Sequence, residues 1–298
     1  MNLQREKSVR GQRNDFMNKP PIYVINLARA LDRRESILDE LRLVNVAQPC
    51  LIPAYDGHAV DFPFQHYQHL AGLFWGDPAR FKPGAFACYL SHAACWRAIA
   101  EGQEPFGLVL EDDIAIHTQP FNEFPWTALP DGFDLIFVNA GMKHWHQLLL
   151  QQTKLGADVG QDPERFTAVS PLLRQLIVTR VFKGAIAGPG AYGYLVSRSG
   201  AAKLLAMMHS RKICMGVDYA MVFQSLSPSD REAIQSVGLP NLPKSLRFFL
   251  PKEEAQLLAN DAIVLHSYVY TSACLVSCKR FPSMIRHAVY LDNRQFYQ

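Results

Sequence analysis

Residues 106–114 read Phe-Gly-Leu-Val-Leu-Glu-Asp-Asp-Ile, and the prediction of the fold rests first on them. An uncharged, largely apolar run leads directly into three consecutive carboxylates, as happens when a buried strand of a parallel sheet ends at a cation site. Three adjacent negative charges repel one another, so a compact fold keeps them most easily where a metal ion or a cationic ligand neutralises them. The alternative interpretation is an acidic turn in solvent.

The start of the folded region gives the second indication of the fold. Residues 22–27 are apolar enough for a buried strand, and Asp32 is a suitable N-cap for the helix that follows. Strand, short polar turn and helix predict a parallel α/β sheet that binds ligands at the carboxyl ends of its strands. Asn26, Arg29 and Arg33 would surround this turn. Arginines there can hold a diphosphate or remain as solvated surface charge.

Other segments follow the same α/β pattern. Further apolar runs predict strands at 50–54, 133–138, 190–196 and 262–265. A helix is predicted over 85–100, and it carries His92 either as a packing residue or as a ligand contact. Residues 58–82 are predicted to form a long ordered loop. Residues 142–170 are interpreted either as a mobile lid or as an ordinary surface excursion.

Composition excludes several classes of protein. The net charge of the 298 residues is only +3, and no basic stripe is present, which argues against nucleic acid as a partner. Six cysteines in so long a chain indicate free thiols in a reducing cytoplasm. Residues 1–19 are predicted to be a flexible basic arm, neither signal peptide nor anchor, ahead of one domain at 20–298. The basic, aromatic tail at 279–298 suits either an anionic membrane surface or a packed terminal helix.

The residue pattern suits the binding of a metal-diphosphate. Carboxylates end one strand, arginines follow another, and His266 follows the predicted strand at 262–265. Hard oxygen ligands favour Mg²⁺ or Mn²⁺, and a histidine in the set tilts the choice toward Mn²⁺. Such a metal would neutralise a departing diphosphate. The sequence contains no phosphate-binding P-loop, dinucleotide fingerprint or nucleophile elbow.

Several short motifs occur in a fixed order between residues 20 and 220. They are Ile25-Asn26-Leu27 with Asp32-Arg33-Arg34, Ala54-Tyr55-Asp56-Gly57, Cys88-Tyr89-Leu90-Ser91-His92 with Trp96, Leu110-Glu111-Asp112-Asp113, and Tyr194-Leu195-Val196-Ser197 with Gly200-Ala201. In order and spacing they resemble glycosyltransferase family 25, the bacterial lipopolysaccharide and lipooligosaccharide glycosyltransferases related to the collagen galactosyltransferases. One departure is Ala85, where the family usually has glutamate.

The resemblance implies an activity and a set of site residues. It implies a GT-A type fold, a UDP-galactose or UDP-glucose donor, and inverting transfer to a lipooligosaccharide or lipopolysaccharide core saccharide. Asp113 and Asp112 would hold the metal, joined by His266 on the analogy of other GT-A enzymes. Asp218 would be the general base, or else only a residue that starts a helix. The donor-binding residues would be Asn26, Leu27, Arg33, Asp56, His92, Glu111 and Asp112.

The leading hypothesis is a cytoplasmic, metal-dependent glycosyltransferase that docks on the inner membrane through its basic ends. One alternative is a metal-dependent phosphoester hydrolase, although such enzymes usually gather more acids and histidines around two metals. Another is a catalytically degenerate protein that binds a sugar nucleotide or a glycolipid, which Ala85 favours because an acid is lost there.

Overall fold

A computed structural model describes residues 19–74, 81–152, 165–178, 189–236 and 263–279. The strands are β1 (Ile22–Asn26), β2 (Cys50–Pro53), β3 (Phe106–Glu111), β4 (Ile114–Ile116), β5 (Leu135–Phe137), β6 (Phe166–Ala168), β7 (Gly193–Ser197), β8 (Ser267–Tyr270) and β9 (Val276–Cys278). The α-helices are α1 (Leu31–Leu43), α2 (Phe64–Tyr67), α3 (Pro83–Glu101), α4 (Thr118–Asn122), α5 (Ala140–Gln152), α6 (Val169–Val178), α7 (Arg198–Arg211), α8 (Val217–Phe223) and α9 (Pro228–Ser236).

Among the residues that the structure describes, seven strands form the central sheet, in the order β2-β1-β3-β7-β5-β8-β6. Five of them run in one direction, and β6 and β7 run against them. This confirms the predicted α/β fold with a mostly parallel central sheet. The remaining strands, β4 and β9, form a separate antiparallel pair.

Alternating side chains of the sheet fill two cores. In β3, Val109 belongs to the core under α3, while Leu108 and Leu110 belong to the core under α1. The alternation follows from the two-residue period of a strand and explains why the run before the acids carries no charge. Trp96 of α3 and Ile37 of α1 are fully buried against these two faces. The buried sheet therefore fixes where β3 ends.

The structure corrects three of the predicted elements. The helix expected over 85–100 is present as α3, but residues 142–170 are no excursion where they are described, since they contribute to α5, β6 and the start of α6. Residues 263–265 form no strand, and β8 begins only at Ser267. Helix α1 begins at Leu31, so Asp32 lies in its first turn and is not its N-cap. Ser197 caps α7 by accepting a hydrogen bond from the Gly200 amide. Within the described ranges, no helix is long and apolar enough to cross a membrane.

Several predictions concern residues outside the described ranges. They are the arm before Lys19, the tail after Lys279, and residues 75–80 and 153–164 of the two expected loops.

Candidate active site

The carboxyl ends of three neighbouring strands meet at one edge of the sheet. Ile25 of β1 lies opposite Glu111 of β3, and Asn26 lies opposite Pro53 of β2. The residues that follow these strands therefore line one cleft, with Leu27 and α3 on its wall. Its polar lining consists of Arg29, Arg33, Tyr55, Asp56, His58, Cys88, Ser91, His92, Glu111, Asp112 and Asp113.

Asp112 and Asp113 are held by residues of the first turn and helix. Asn26 donates from Nδ2 to Oδ2 of the buried Asp112 at 2.7 Å. Arg33, also buried, donates from Nη1 to Asp112 Oδ1 at 3.3 Å and to Asp113 Oδ2 at 3.4 Å. The second oxygen of Asp113, Oδ1, is buried and has no hydrogen-bond partner in the described part of the chain. An unpaired buried carboxylate oxygen fits a cation ligand.

The pKa values show the electrostatic imbalance of this cluster. Burial and then the charge of Glu111 raise the pKa of Asp113 to about 6, although Arg33 opposes the shift. Burial also raises the pKa of Asp112, despite its hydrogen bonds with Asn26 and Arg33. The Arg33 guanidinium thus offsets the negative charge of these carboxylates only in part. The cluster would be stabilised by a further positive charge.

A segment distant in sequence, just after β9, contacts the acidic turn. The Lys279 backbone amide, just after β9, donates to the Asp113 carbonyl at 2.7 Å. The ammonium group of Lys279 contacts Ser36 Oγ at 2.6 Å and Glu40 Oε1 at 2.8 Å, both on α1. Glu40 also accepts a hydrogen bond from the Ile116 amide of β4. Sequence reasoning assigned Lys279 no such role, because the contact joins residues with no shared motif.

Helix α3 forms the wall beside Glu111. His92 is completely buried, and its Nε2 lies 3.3 Å from Glu111 Oε1. Its Nδ1 lies 2.9 Å from the Tyr194 hydroxyl, which also accepts a hydrogen bond from Trp96 Nε1 at 2.9 Å. Cys88 stands one turn before His92 and lines the cleft. The sequence analysis treated Cys88 as a free thiol and as part of a family motif, although its spacing of four residues from His92 was a usable signal for a pair of ligands.

Asp218 lies in the first turn of α8, and its side chain is half-buried. Burial raises the pKa of Asp218, and the charge of Glu111 adds to the shift, whereas hydrogen bonds from the backbone amides of Tyr219 and Gly190 oppose it. Asp218 and Glu111 are therefore close enough for their charges to interact. The fold thus brings Asp218, from about a hundred residues along the chain, within electrostatic range of Glu111, although Asp218 is not among the residues that line the cleft.

The mouth of the cleft is formed by the turn after β2. Asp56 accepts from Arg29 Nε at 2.5 Å and from the His58 amide at 3.0 Å. The Arg29 hydrogen bond is the main cause that lowers the pKa of Asp56. A Cβ at Gly57 would lie 2.2 Å from the Pro83 carbonyl oxygen at the start of α3. Only glycine lets this turn approach the helix so closely.

His266 is far from the other predicted metal ligands. It precedes β8, so it stands at the amino end of its strand, and its amide donates to Asp134 Oδ2 at 2.8 Å. The sheet register places it level with Phe106, at the opposite end of β3 from Glu111. That length of strand is roughly 17 Å. The prediction that His266 shares a metal site with Asp112 and Asp113 is therefore wrong. It failed because the strand was placed before His266 instead of after it.

Comparison with known proteins identifies relatives over much of this region. The model of glycosyltransferase family 25 (LPS biosynthesis protein) matches residues 19–221. Procollagen galactosyltransferase 1 of Danio rerio is 32% identical over 111 residues, which are 36% of this chain and 18% of that protein. Procollagen galactosyltransferase 2 of Mus musculus is 30% identical over 111 residues, 35% of this chain and 17% of that protein. The match thus spans less than a fifth of these relatives.

Among solved structures, the apo form of mouse xyloside xylosyltransferase 1 shares 13% identity with this chain. The superposition covers 83% of this chain and 82% of that one, with a TM-score of 0.26. At that score the likeness carries no argument about function.

Proposed function

This chain belongs to glycosyltransferase family 25, and from that premise we propose that it transfers galactose or glucose from a UDP-sugar to a saccharide acceptor. The single observation that carries the proposal is the acidic cluster at the carboxyl end of β3, which lines the cleft and retains a buried, unpaired oxygen on Asp113. A strand end of this kind is where open α/β sheets bind their ligands.

We propose that Asp113 and Asp112 hold Mn²⁺ or Mg²⁺. The residues fit such an ion because Asp113 Oδ1 is a hard oxygen ligand with no other partner in the described residues, and the surrounding charge is negative. The bound ion would supply Lewis-acid stabilisation of the diphosphate leaving group. Asn26 and Arg33 orient Asp112 through both of its carboxylate oxygens, so they act on the metal site as positioning residues.

The donor would lie along the turn after β1. Arg29 is half exposed at the mouth of the cleft and can approach a diphosphate, whereas the buried Arg33 is engaged with the acids. Asp56 fixes Arg29 by their ion pair and, with Leu27, borders the space left for the nucleotide. In this proposal His92 and Glu111 complete the floor of the donor site. The sugar would then face Asp218 across the cleft.

Asp218 is the proposed general base. In an inverting transfer, an acceptor hydroxyl attacks the anomeric carbon while the bond from that carbon to the diphosphate breaks, and a carboxylate takes the hydroxyl proton. The raised pKa of Asp218 makes it a stronger base than an ordinary aspartate. Its proximity to Glu111 supports a position beside the transferred sugar. Its own Oδ1 accepts from the Tyr219 amide at 2.9 Å, which fixes the carboxylate for that role.

The proposed acceptor is a core saccharide of lipooligosaccharide or lipopolysaccharide, and the proposed location is the cytoplasmic side of the inner membrane. The printed description of the family, LPS biosynthesis protein, supports this choice. The relatives named procollagen galactosyltransferases support galactose as the transferred sugar.

The test is donor turnover by three single variants. Wild-type protein with Mn²⁺ and UDP-galactose or UDP-glucose should transfer sugar to a truncated lipooligosaccharide. Asp113→Ala should lose donor binding, while Asp218→Asn should bind the donor and lose at least about 100-fold in transfer rate. Asp131→Asn, an exposed aspartate away from the cleft, is the matched control and should resemble wild type.

Two results would contradict the proposal. If wild type binds UDP-sugar by calorimetry but transfers nothing to any such acceptor, the chain is a sugar-nucleotide binding protein instead. If Asp218→Asn transfers sugar at the wild-type rate, Asp218 is not the base.

A further inference from the structure

We propose that Cys88, His92 and Glu111 form a second cation site, selective for a thiophilic divalent ion such as Zn²⁺. The site is distinct from the hard-oxygen site at Asp113, and the proposal does not depend on the chain's being a glycosyltransferase. The Cys88 Sγ, a nitrogen of His92 and a carboxylate oxygen of Glu111 lie within 4.8 Å of one another. Thiolate, imidazole and carboxylate are the three ligand types that zinc takes in proteins.

The local fold puts these ligands into a chelating arrangement. Cys88 and His92 are four residues apart on α3, so their side chains project from the same face of the helix. Glu111 ends β3, the strand that packs beneath α3. The elements that carry the ligands are thus rigid, and only the side chains need to adjust.

The distances suit a tetrahedral ion. Metal–ligand bonds of about 2.0 Å to nitrogen and oxygen place those two ligand atoms about 3.3 Å apart, and His92 Nε2 lies 3.3 Å from Glu111 Oε1. Sulfur at about 2.3 Å would lie about 3.5 Å from the same nitrogen. Cys88 and Glu111 both keep partial exposure in the cleft, so a movement of about 1 Å brings in the sulfur.

The surroundings of His92 prepare it for a metal. The Tyr194 hydroxyl accepts a hydrogen bond from Trp96 Nε1 and lies 2.9 Å from His92 Nδ1, and this contact fixes the orientation of the imidazole ring. His92 Nε2 faces Glu111, and it can bind the ion in the tautomer that carries the ring proton on Nδ1. When the ion binds, the Cys88 thiol loses its proton to solvent and the thiolate sulfur coordinates the ion.

Local charge also favours occupation by a cation. The pKa of the Cys88 thiol is raised well above its usual value, by burial first and then by the charges of Glu111, Asp218 and Asp113. These negative charges repel a bare thiolate and attract a divalent ion that accompanies it. Ligand softness separates the two sites, because Mg²⁺ and Mn²⁺ prefer oxygen ligands and a thiolate favours Zn²⁺ or Co²⁺.

Cobalt titration of the metal-stripped full chain, with no sugar nucleotide present, tests the proposal. Wild type should bind one equivalent of Co²⁺ with a thiolate-to-cobalt charge-transfer band, and Zn²⁺ should abolish the band by displacement. Cys88→Ser should lack the band, and Glu111→Gln should bind at least about tenfold more weakly. Cys50→Ser removes an exposed cysteine on β2 and should match wild type.

The site is refuted if wild type shows no stoichiometric charge-transfer band or if Cys88→Ser keeps it. Because no donor or acceptor is present, either result leaves the proposed transfer activity untouched. Loss of transfer with an intact cobalt band would overturn the proposed function alone. Thermal melting of each variant establishes that it is folded before the titration.

Discussion

The negative charge of Asp113 suits a metal site but destabilises the metal-free fold. Its folded-state pKa is raised from 3.8 to about 6, so the metal-free protein carries an unfavourable charge there at neutral pH. Asp113→Asn removes that charge, keeps the side-chain shape and should raise the free energy of unfolding at pH 8 by on the order of 2 kcal/mol. The gain should be roughly half as large at pH 5, because the folded wild type takes up the proton as the pH falls through 6.

Urea denaturation in the presence of a chelator measures this difference at each pH. The same variant should lose Mn²⁺ binding. Loss of binding together with the gain in stability shows that the substitution acts through the charge of Asp113 and not through a general stabilisation of the fold. Asp131→Asn, at an exposed position, should change stability by less than about 0.5 kcal/mol at either pH. A less stable Asp113→Asn protein at pH 8 would mean that the charge of Asp113 is balanced by its neighbours.

Single residues also mark the limit of what the sequence predicts about the site. Glu111, Asp112 and Asp113 were expected together because they follow an apolar run, and Asn26 and Arg33 because they follow another. Strand ends in a parallel sheet meet, so local pattern was sufficient there. The contact of Lys279 with the acidic turn joins residues 166 positions apart and left no local pattern. The same rule misplaced His266, because it applies only to a residue that follows a strand, and His266 precedes β8.

At the scale of elements, the two-stranded pair β4–β9 is packed against the end of the sheet next to the site. A Cβ at Gly193 of β7 would lie 2.2 Å from Val276 Cγ2 of β9. Gly193→Ala should therefore destabilise the protein by about 1–3 kcal/mol through overpacking. Val276→Ala alone leaves a cavity and should cost about 2 kcal/mol, because Val276 is completely buried.

The double variant should be more stable than the sum of the two changes, since the alanine methyl at 193 fills the space that Val276 vacates. A double-mutant cycle by chemical denaturation should give a favourable coupling of at least about 1 kcal/mol. Strict additivity would show that β9 does not pack on Gly193 in solution.

Helices and strands were predicted well where apolar residues recur with a regular period, and poorly where tertiary packing determines the local structure. Helix α3 was expected over 85–100, and in the structure it begins two residues earlier, at Pro83, and ends one residue later, at Glu101. Helix α5 was missed because its buried residues, Met142 and Trp145, are interleaved with the half-buried Lys143 and the exposed His144. Its hydrophobic face is too narrow to be distinguished from a polar loop in the sequence alone.

At the scale of the whole molecule, the family match ends before the sheet is complete. The match covers residues 19–221, yet β8 lies between β5 and β6 in the sheet, and β9 braces the acidic turn. Residues 263–279 are therefore part of the domain that holds the candidate site, and not an addition to it.

A chain truncated after residue 262 should consequently fail to fold. It would lose five buried apolar side chains, each contributing about 1.5–3 kcal/mol, a sum of about 10 kcal/mol that rivals the whole stability of a domain. These side chains are Leu265, Val269, Tyr270, Leu275 and Val276. It would also leave β5 and β6 with unpaired edges.

Thermal denaturation followed by circular dichroism should show a cooperative transition for the full chain and none for the truncated chain. Full-length Val269→Asp should reproduce the loss by burying a charge in β8, whereas Ser272→Asp, at an exposed position just after it, should melt like wild type. A truncated chain that melts at the wild-type temperature would show that the sheet is stable without its inserted strand.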